Sequence, residues 1–394
     1  MTFEAARALA DAVLMEGYAL YPYRASAPKN RFRWTFGVLA PRTWSEAEGC
    51  EPWWLEAQVL VEGAPTAVHG QLRGFQIERR RVVDAGGNDL DALEEDGRLE
   101  VPWDEGVEQA LDFALGESSL VLPATRHDAS HGSGRVIRDR HALALRVAAR
   151  IEPIASCKRP LARVTVRIAN VTPWLELTAS RSQAMTGAFA SAHVVLAVDH
   201  GRFVSAIDPP EWAMAEASRC TNTGTYPVLV GDVMLAAPFA MYDHARIAPE
   251  SAGDQCDASE IDELLVLRAR LMTDREKREA RATDPRAAAI VDRADTLPDA
   301  ALARMHGATR DLSNGEMVPS PPRAGAKVRL RAPTRTTDAQ DLLYAGRIAT
   351  VAEIKRDVDG SVFLAVTIDD DPAAELHGWY GRYHHYRLDE VDVL

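Results

Sequence analysis

Apolar and polar positions follow a period of two over much of the first 240 residues and switch to a helical period from Asp257 onward. Near the start, Phe3 to Met15 places Phe3, Ala6, Ala10, Val13 and Leu14 on one face, which predicts an amphipathic helix stopped by Gly17. Pro22 and Pro28 then enforce extended backbone, and Arg33 to Leu39 reads as a strand. Leu55–Val61 and His69–Arg81 are further strands. In the second, arginines interrupt Leu72, Phe75, Ile77 and Val82, the pattern of a strand with one solvated face. Glu105–Leu115 is predicted to be a short helix. His141–Ile151 and Leu161–Val171 both alternate, and the loop ending at Pro160 joins them as an antiparallel hairpin. Ala192–Val198 and Tyr226–Val230 add strands.

Beyond Asp257, Ile261, Leu264, Leu265 and Met272 share a helical face. Thr273 with Glu276 forms a capping box for a second helix, Asp284-Pro285 starts a third, and Thr296-Leu-Pro298 a fourth. Ser313–Pro322 is rich in breakers and has no period, so a linker is placed at 313–323. After it, Lys327–Arg331, Gly346–Ile354, Val362–Ile368 and Asp389–Leu394 give short strands, and closing such a meander removes its exposed edges. The predicted fold class is therefore α+β: a mixed or antiparallel β-sheet body with a helical segment, and a small C-terminal SH3-like β-barrel. The expected divisions are 1–135, 136–312, the linker, and 324–394.

Composition narrows the classes of function. The 394 residues are 46% hydrophobic, enough for real cores, and carry a net charge of −13. No basic block displaces counterions from phosphate, which argues against nucleic acid as a partner. The N-terminal helix carries Glu4, Asp11 and Glu16 rather than a basic leader, and no apolar run reaches the ~20 residues of a membrane span. A cytoplasmic protein without membrane insertion is expected. Cys50, Cys157, Cys220 and Cys256 form no CxxC pair, so zinc knuckles are excluded and reduced, mostly buried thiols are expected.

Lys29, Asn30, Arg31, Arg33 and Trp34 form a basic and aromatic edge suited to an anionic ligand or an acidic partner face. Trp379, Tyr380, Tyr383 and Tyr386 form a C-terminal aromatic stretch, read as a contact surface or as barrel core. A metal site is the alternative use of this region, with His377, His384 and His385 near Asp369, Asp370 and Asp371. Adjacent His384 and His385 on a strand would point to opposite faces. The acidic loop holding Asp254 and Asp257 could also gather carboxylates around a hard cation, or simply complement a helix dipole. Glu48, Glu51 and Glu56 beside Trp44, Trp53 and Trp54 read as an aromatic core before a sugar cleft. Nucleophile elbows and phosphate-binding glycine loops are absent from the sequence. Which cofactor the protein uses, if any, is not legible in the sequence.

Three segments, Glu16–Pro41, Gly224–Arg286 and Gly346–Pro372, resemble a conserved family encoded alongside nickel–iron hydrogenase genes. The resemblance implies company with hydrogenase structural and maturation genes and carries no catalytic residue over. The chain departs from the family pattern at Gln255-Cys256, where two apolar residues are expected, and at Gly381–Tyr386, which leaves the role of a C-terminal histidine open. The expected function is a non-enzymatic accessory or maturation factor that binds a hydrogenase subunit or another maturation protein. An enzyme with a site assembled from dispersed residues, or a metal carrier using the C-terminal histidines, are the alternatives.

Overall fold

The computed structural model describes residues 3–19, 34–95, 97–155, 159–247, 251, 259–283, 285–305, 309–310, 317–318, 322–331, 344–356, 362–371 and 383–394. The chain divides into two units, Met1–His306 and Gly307–Leu394.

In the first unit α1 (Glu4–Ala19) and α2 (Arg42–Glu48) precede β1 (Trp54–Gly63) and β2 (Val68–Asp84). A short pair, β3 (Leu93–Glu95) and β4 (Arg98–Glu100), leads into β5 (Trp103–Ala114), β6 (Gly116–Leu122), β7 (Thr125–His131), β8 (Gly134–Arg140), β9 (Leu143–Pro153) and β10 (Leu161–Asn170). Then come α3 (Arg181–Ala184) with a 3-10 turn at Met185–Gly187, β11 (Phe189–Val198), β12 (Gly201–Phe203), α4 (Glu211–Ala217), β13 (Tyr226–Val230) and β14 (Val233–Ala237).

These strands form two antiparallel sheets. One has the order β12-β1-β10-β9-β6; the other runs β13-β14-β11-β2-β8-β7, with β5 also paired to β2. The length of β2 organises the second sheet. Residues 68–76 pair with β11, 78–84 with β8, and 69–80 with β5 on the opposite edge. Alternate residues of the facing strands, among them Leu55, Val59, Leu72, Val147, Val166, Ile168 and Leu196, fill the space between the sheets. The outer face of the second sheet is covered in two places. Ala6, Leu9, Ala10 and Val13 of α1 pack on Val195, Ala197 and Leu235, where each buried Leu or Val contributes about 1.5–3 kcal/mol. Beside them Trp34, Val38 and Trp44 pack with Phe75, Ile77 and Met185.

The helical segment consists of α5 (Ser259–Arg270), α6 (Asp274–Thr283), α7 (Pro285–Thr296) and α8 (Asp299–Met305). The capping box that starts α6 is present: Thr273 N donates to Glu276 Oε2 at 2.8 Å, and Glu276 N to Thr273 Oγ1 at 3.3 Å. Leu265 meets Ile290, while Val266 and Ala269 meet Ala294.

In the second unit β15 (Thr309–Arg310) pairs with β16 (Met317–Val318). β17 (Lys327–Leu330), β18 (Ile348–Arg356), β19 (Val362–Ile368), β20 (His384–Arg387) and β21 (Val391–Val393) form an antiparallel sheet in the order β20-β19-β18-β17-β21. Its core holds Val328, Leu330, Val351, Leu364, Val366, Tyr386 and Val391. The described pairings leave β20 and β21 at the two ends of the row.

Several expectations are corrected. Residues 105–114 belong to β5 rather than to a helix; Leu111 and Phe113 turn into the inter-sheet core, and pairing along β2 overrides the helical preference of Glu, Gln and Ala. No strand forms over the described part of Arg33–Leu39, because Trp34 and Gly37 take left-handed backbone (φ 59° and 55°), leaving a single bridge from Leu39 to Phe189. α1 continues through Gly17 to Ala19. The division at 135/136 falls inside β8, and both sheets take strands from either side of it. Most of the expected linker lies outside the described residues, with Met317–Val318 in β16. Cys50 is exposed and Cys220 half-buried, against the expectation of buried thiols.

Candidate functional site

Successive residues of a strand face opposite ways, so Arg73, Phe75, Ile77, Arg79 and Arg81 of β2 line up on the outer face of the second sheet. The α1 end of this row is polar and closed. Arg73 Nη2 lies 2.8 Å from Asp11 Oδ1 of α1. Opposite Arg73 stands His193 of β11, brought there by a register shift between Ala190 and His193. Ser191, at φ 54°, makes that shift, which re-aims the side chain that follows.

His193 is 2% exposed, and its Nδ1 is 2.8 Å from the Ser191 carbonyl. A carbonyl only accepts, so Nδ1 carries the proton and Nε2 presents a bare lone pair. That nitrogen is buried and has no hydrogen-bond partner among the described residues. It belongs to a cavity of about 20 Å³ shared with Asp11, Arg73, Phe75, Glu108 and Gln109, room for a single water. Burial pushes the His193 pKa down to about 4, with the nearby Arg73 guanidinium adding in the same direction and the bond to Ser191 opposing. Burial also pushes the Asp11 carboxyl up, against the Arg73 cation.

The consequence for stability has a definite sign. An unfolded histidine takes up a proton as pH drops through about 6.5, while His193 in the fold stays neutral until about 4. Stability is therefore fully present above pH 6.5 and falls by about 3 kcal/mol on acidification to pH 4. The raised Asp11 carboxyl works in the opposite direction, so the contribution is read as a difference: His193→Gln is expected to lose less stability than the wild type between pH 7 and 5 in urea unfolding. Equal losses would show that His193 does not titrate this way.

Past Phe75, whose ring lies 5.8 Å from that of Trp34, the row opens into a cleft of about 570 Å³. Trp34, Trp103 and Met185, almost wholly buried, form its apolar floor, and Arg79, Arg80, Arg81 and Arg181 are its cations. Each of these arginines is held. Arg79 Nε and Nη2 meet Asp104 at 3.0 and 3.3 Å, and Nη2 also donates to the Ser182 carbonyl at 2.9 Å. Arg181 meets Glu51 Oε1 at 2.6 Å and donates to the Trp34 carbonyl at 2.6 Å. Arg81 meets Asp89 at 2.7 Å on the rim. The wall carrying Trp34 and Met185 is tied down by Asn170, which is wholly buried and donates from Nδ2 to the Leu39 and Gly187 carbonyls at 2.8 and 2.9 Å. Trp44 Nε1 adds a bond to the Ala179 carbonyl at 2.8 Å. With its guanidinium groups held by neighbouring carboxylates and its indole rings almost wholly buried, the cleft offers a partner a rigid polar rim over an apolar floor.

The residues singled out in the sequence are distributed as follows. Lys29, Asn30, Arg31 and Arg33 lie outside the described residues, as do Trp379, Tyr380, His377, Asp254 and Asp257. Trp34 is 7% exposed and lines the cleft. Tyr383 is half-buried, 6.0 Å from the Lys355 ammonium. Tyr386 is not a surface contact: at 3% exposed it is part of the core of the second unit. His384 packs edge-on against Tyr344, with ring centroids 4.9 Å apart, and the next residue, His385, is exposed. Asp369 is engaged by Lys327 and Thr350, whose hydrogen bonds hold its carboxyl below the usual range. Among the described residues no three metal-binding side chains converge. Trp44 is core, Glu51 binds Arg181, and the Arg167 guanidinium lies 4.0 Å from the Trp54 ring, so that corner is a packed cation–π cluster. Arg79, Arg181, Asp11, Arg73 and His193 were not picked out from the sequence. The only signal was the Arg79-Arg80-Arg81 run in an alternating strand.

No known protein family matches the chain, and no curated protein matches it significantly. Among the described residues no helix is long and apolar enough to cross a membrane.

Proposed function

We propose that this protein is a non-enzymatic accessory or assembly factor of a nickel–iron hydrogenase, acting by protein–protein interaction. The observation that carries the reading is the Trp34–Trp103 cleft, where Arg79, Arg81 and Arg181 are fixed by carboxylates or carbonyls before any ligand arrives. Pre-fixed donors around an apolar strip favour an extended segment of a partner chain, since little side-chain entropy is lost when it docks. The hydrogenase setting rests on the resemblance of Glu16–Pro41, Gly224–Arg286 and Gly346–Pro372. In this account the basic residues Lys29 to Arg33, next to Trp34 in sequence, and the aromatic residues up to Tyr383 contribute to the partner contact. The C-terminal unit is read as a small SH3-like barrel; its strand order and the 3-10 turn Leu388–Glu390 between the last two strands support this. The site of action is the cytoplasm.

The test is an affinity pull-down of the tagged protein from its own host, followed by mass spectrometry. Recovery of hydrogenase subunits or maturation proteins is expected. Recovery of the protein alone, or of partners unrelated to hydrogenase, would remove the assembly role.

A second reading is favoured by His193. Asp11, Arg73, Glu108 and His193 come from four different elements and meet at one polar cavity, the arrangement of an enzyme site assembled from dispersed residues. The cavity holds one water and no substrate, so this reading requires α1 to move. Hydrogen exchange of α1 no faster than that of β11 would count against it.

A further inference from the structure

The opposite face of β2 carries a separate feature. Where β2 extends past the inter-sheet core, Glu78 pairs with Arg140 of β8 and Arg80 reaches the end of α6 instead of apolar partners. Arg80 is 6% exposed. Its Nη1 lies 3.4 Å from Glu100 Oε2 and 3.2 Å from Glu105 Oε1, and its Nη2 donates to the carbonyls of Ala282 and Thr283 at the end of α6. Above this floor is a cavity of about 400 Å³, within the range of small-molecule sites.

The charge balance of the lining decides what fits. Arg80, Arg98, Arg138, Arg278 and Arg281 line it, against Glu100 and Glu105. A surplus of guanidinium groups at a cavity wall runs against a chain of net charge −13. Of the carboxylates that meet three of these arginines, Glu100 lines the cavity, whereas Asp292, Asp295 and Glu94 are not among its lining residues. Arg98 takes Glu100 Oε1 at 2.9 Å, Arg281 takes Asp292 and Asp295 at 2.8 and 3.0 Å, and Arg278 reaches Glu94 only at 3.4 Å. Arg138 Nε is 3.8 Å from Glu78 and 3.9 Å from Glu105, beyond hydrogen-bond reach. Each guanidinium has five N–H donors in a planar fork, and those of Arg138 and Arg278 are the least committed.

We propose that this cavity binds a small dianion carrying phosphoryl or carboxylate groups, held in bidentate fashion by Arg138 and Arg278 over the Arg80 floor. Planar forks on two sides match the oxygens of either group, and a half-closed site strengthens the pairing relative to bulk water. The ligand would join β8 of the sheet to α6 of the helical segment and so fix one against the other. The inference does not depend on the partner-binding reading: the two cavities share Arg80, but Arg138 and Arg278 line this one and not the Trp34–Trp103 cleft.

The experiment is isothermal titration of the full-length protein with sodium phosphate and, separately, sodium succinate, at constant ionic strength set by chloride. Arg138→Gln and Arg278→Gln are titrated in parallel after circular dichroism and melting confirm that they fold; both side chains are partly exposed and neither forms the buried floor. Saturable binding of one probe is expected, with the dissociation constant raised about tenfold or more in either variant. Phosphate alone binding would identify a phosphorylated ligand, and succinate alone a dicarboxylic acid. No saturable binding of either, or the same affinity in wild type and both variants, would overturn the proposal.

Discussion

Arg80→Ala is expected to lower the stability of the first unit by about 3–5 kcal/mol, the usual cost of removing one partner from a buried ion pair. Its guanidinium is 6% exposed and is the described cation facing both Glu100, itself 4% exposed, and Glu105. Removing it leaves Glu100 to the exposed Arg98 at 2.9 Å and Glu105 to the more distant Arg138 at 3.9 Å, and takes a donor from the Ala282 and Thr283 carbonyls. The mechanism also predicts a rescue. Adding Glu100→Gln to Arg80→Ala should recover part of the loss, because one buried charge that has lost its buried partner disappears, whereas the same change in the wild type should destabilise. Urea unfolding of the four proteins closes a double-mutant cycle. Additive losses would mean that Arg80 acts through packing alone.

The second large effect is expected at Asn170. Its side chain makes three buried bonds: two donated to the Leu39 and Gly187 carbonyls, and one accepted by Oδ1 from Thr172 N at 3.0 Å. Asn170→Ala removes all three and leaves buried backbone groups short of partners, a loss of about 2–4 kcal/mol at roughly 1 kcal/mol per bond plus desolvation. Asn170→Asp should be at least as severe, because a carboxylate would face two carbonyls it cannot bond. Since Leu39 and Gly187 flank the wall that carries Trp34 and Met185, tryptophan emission should shift to the red before global unfolding. A melting temperature within a degree of wild type would show that the apolar cluster around Trp44 holds this wall unaided.

Parts of this architecture were legible from local pattern. The β9–β10 hairpin followed from alternation in Leu161–Val171, and the start of α6 from Thr273 and Glu276, because these signals are complete within a few residues. The sequence pattern misread β5. Its Glu, Gln, Ala and Leu residues favour helix, and only pairing along β2, more than twenty residues away in the chain, makes a strand. The arginines of β2 were read as a solvated face. Arg79 and Arg81 do line an open cleft, but Arg80 is buried, since α6 arrives from 200 residues downstream to accept its hydrogen bonds. His193 was invisible for a related reason. A histidine in an apolar strand reads as core, and the placement of its buried lone pair comes from a backbone shift at Ser191 that no residue type announces. Tyr386 reversed the other way. In the run Tyr383–Tyr386 the alternation allows either face, and the one that packs on Leu364 is fixed by the register with β19.

The central claim is that the Trp34–Trp103 cleft recognises a hydrogenase-related partner chain. Its most direct test is the affinity of the purified protein for isolated hydrogenase subunits and maturation proteins, compared with a rim variant, Arg81→Glu with Asp91→Arg. Asp91 is exposed and Arg81 half-buried at the rim, so the fold should be retained while the charge pattern of the cleft mouth is inverted. The account predicts saturable binding of one of these partners by the wild type and a loss of about tenfold or more in the variant, since like charges at an interface cost of the order of a kcal/mol or more. Binding that the inversion leaves unchanged would place the contact elsewhere, and no binding to any of them would contradict the assembly role itself.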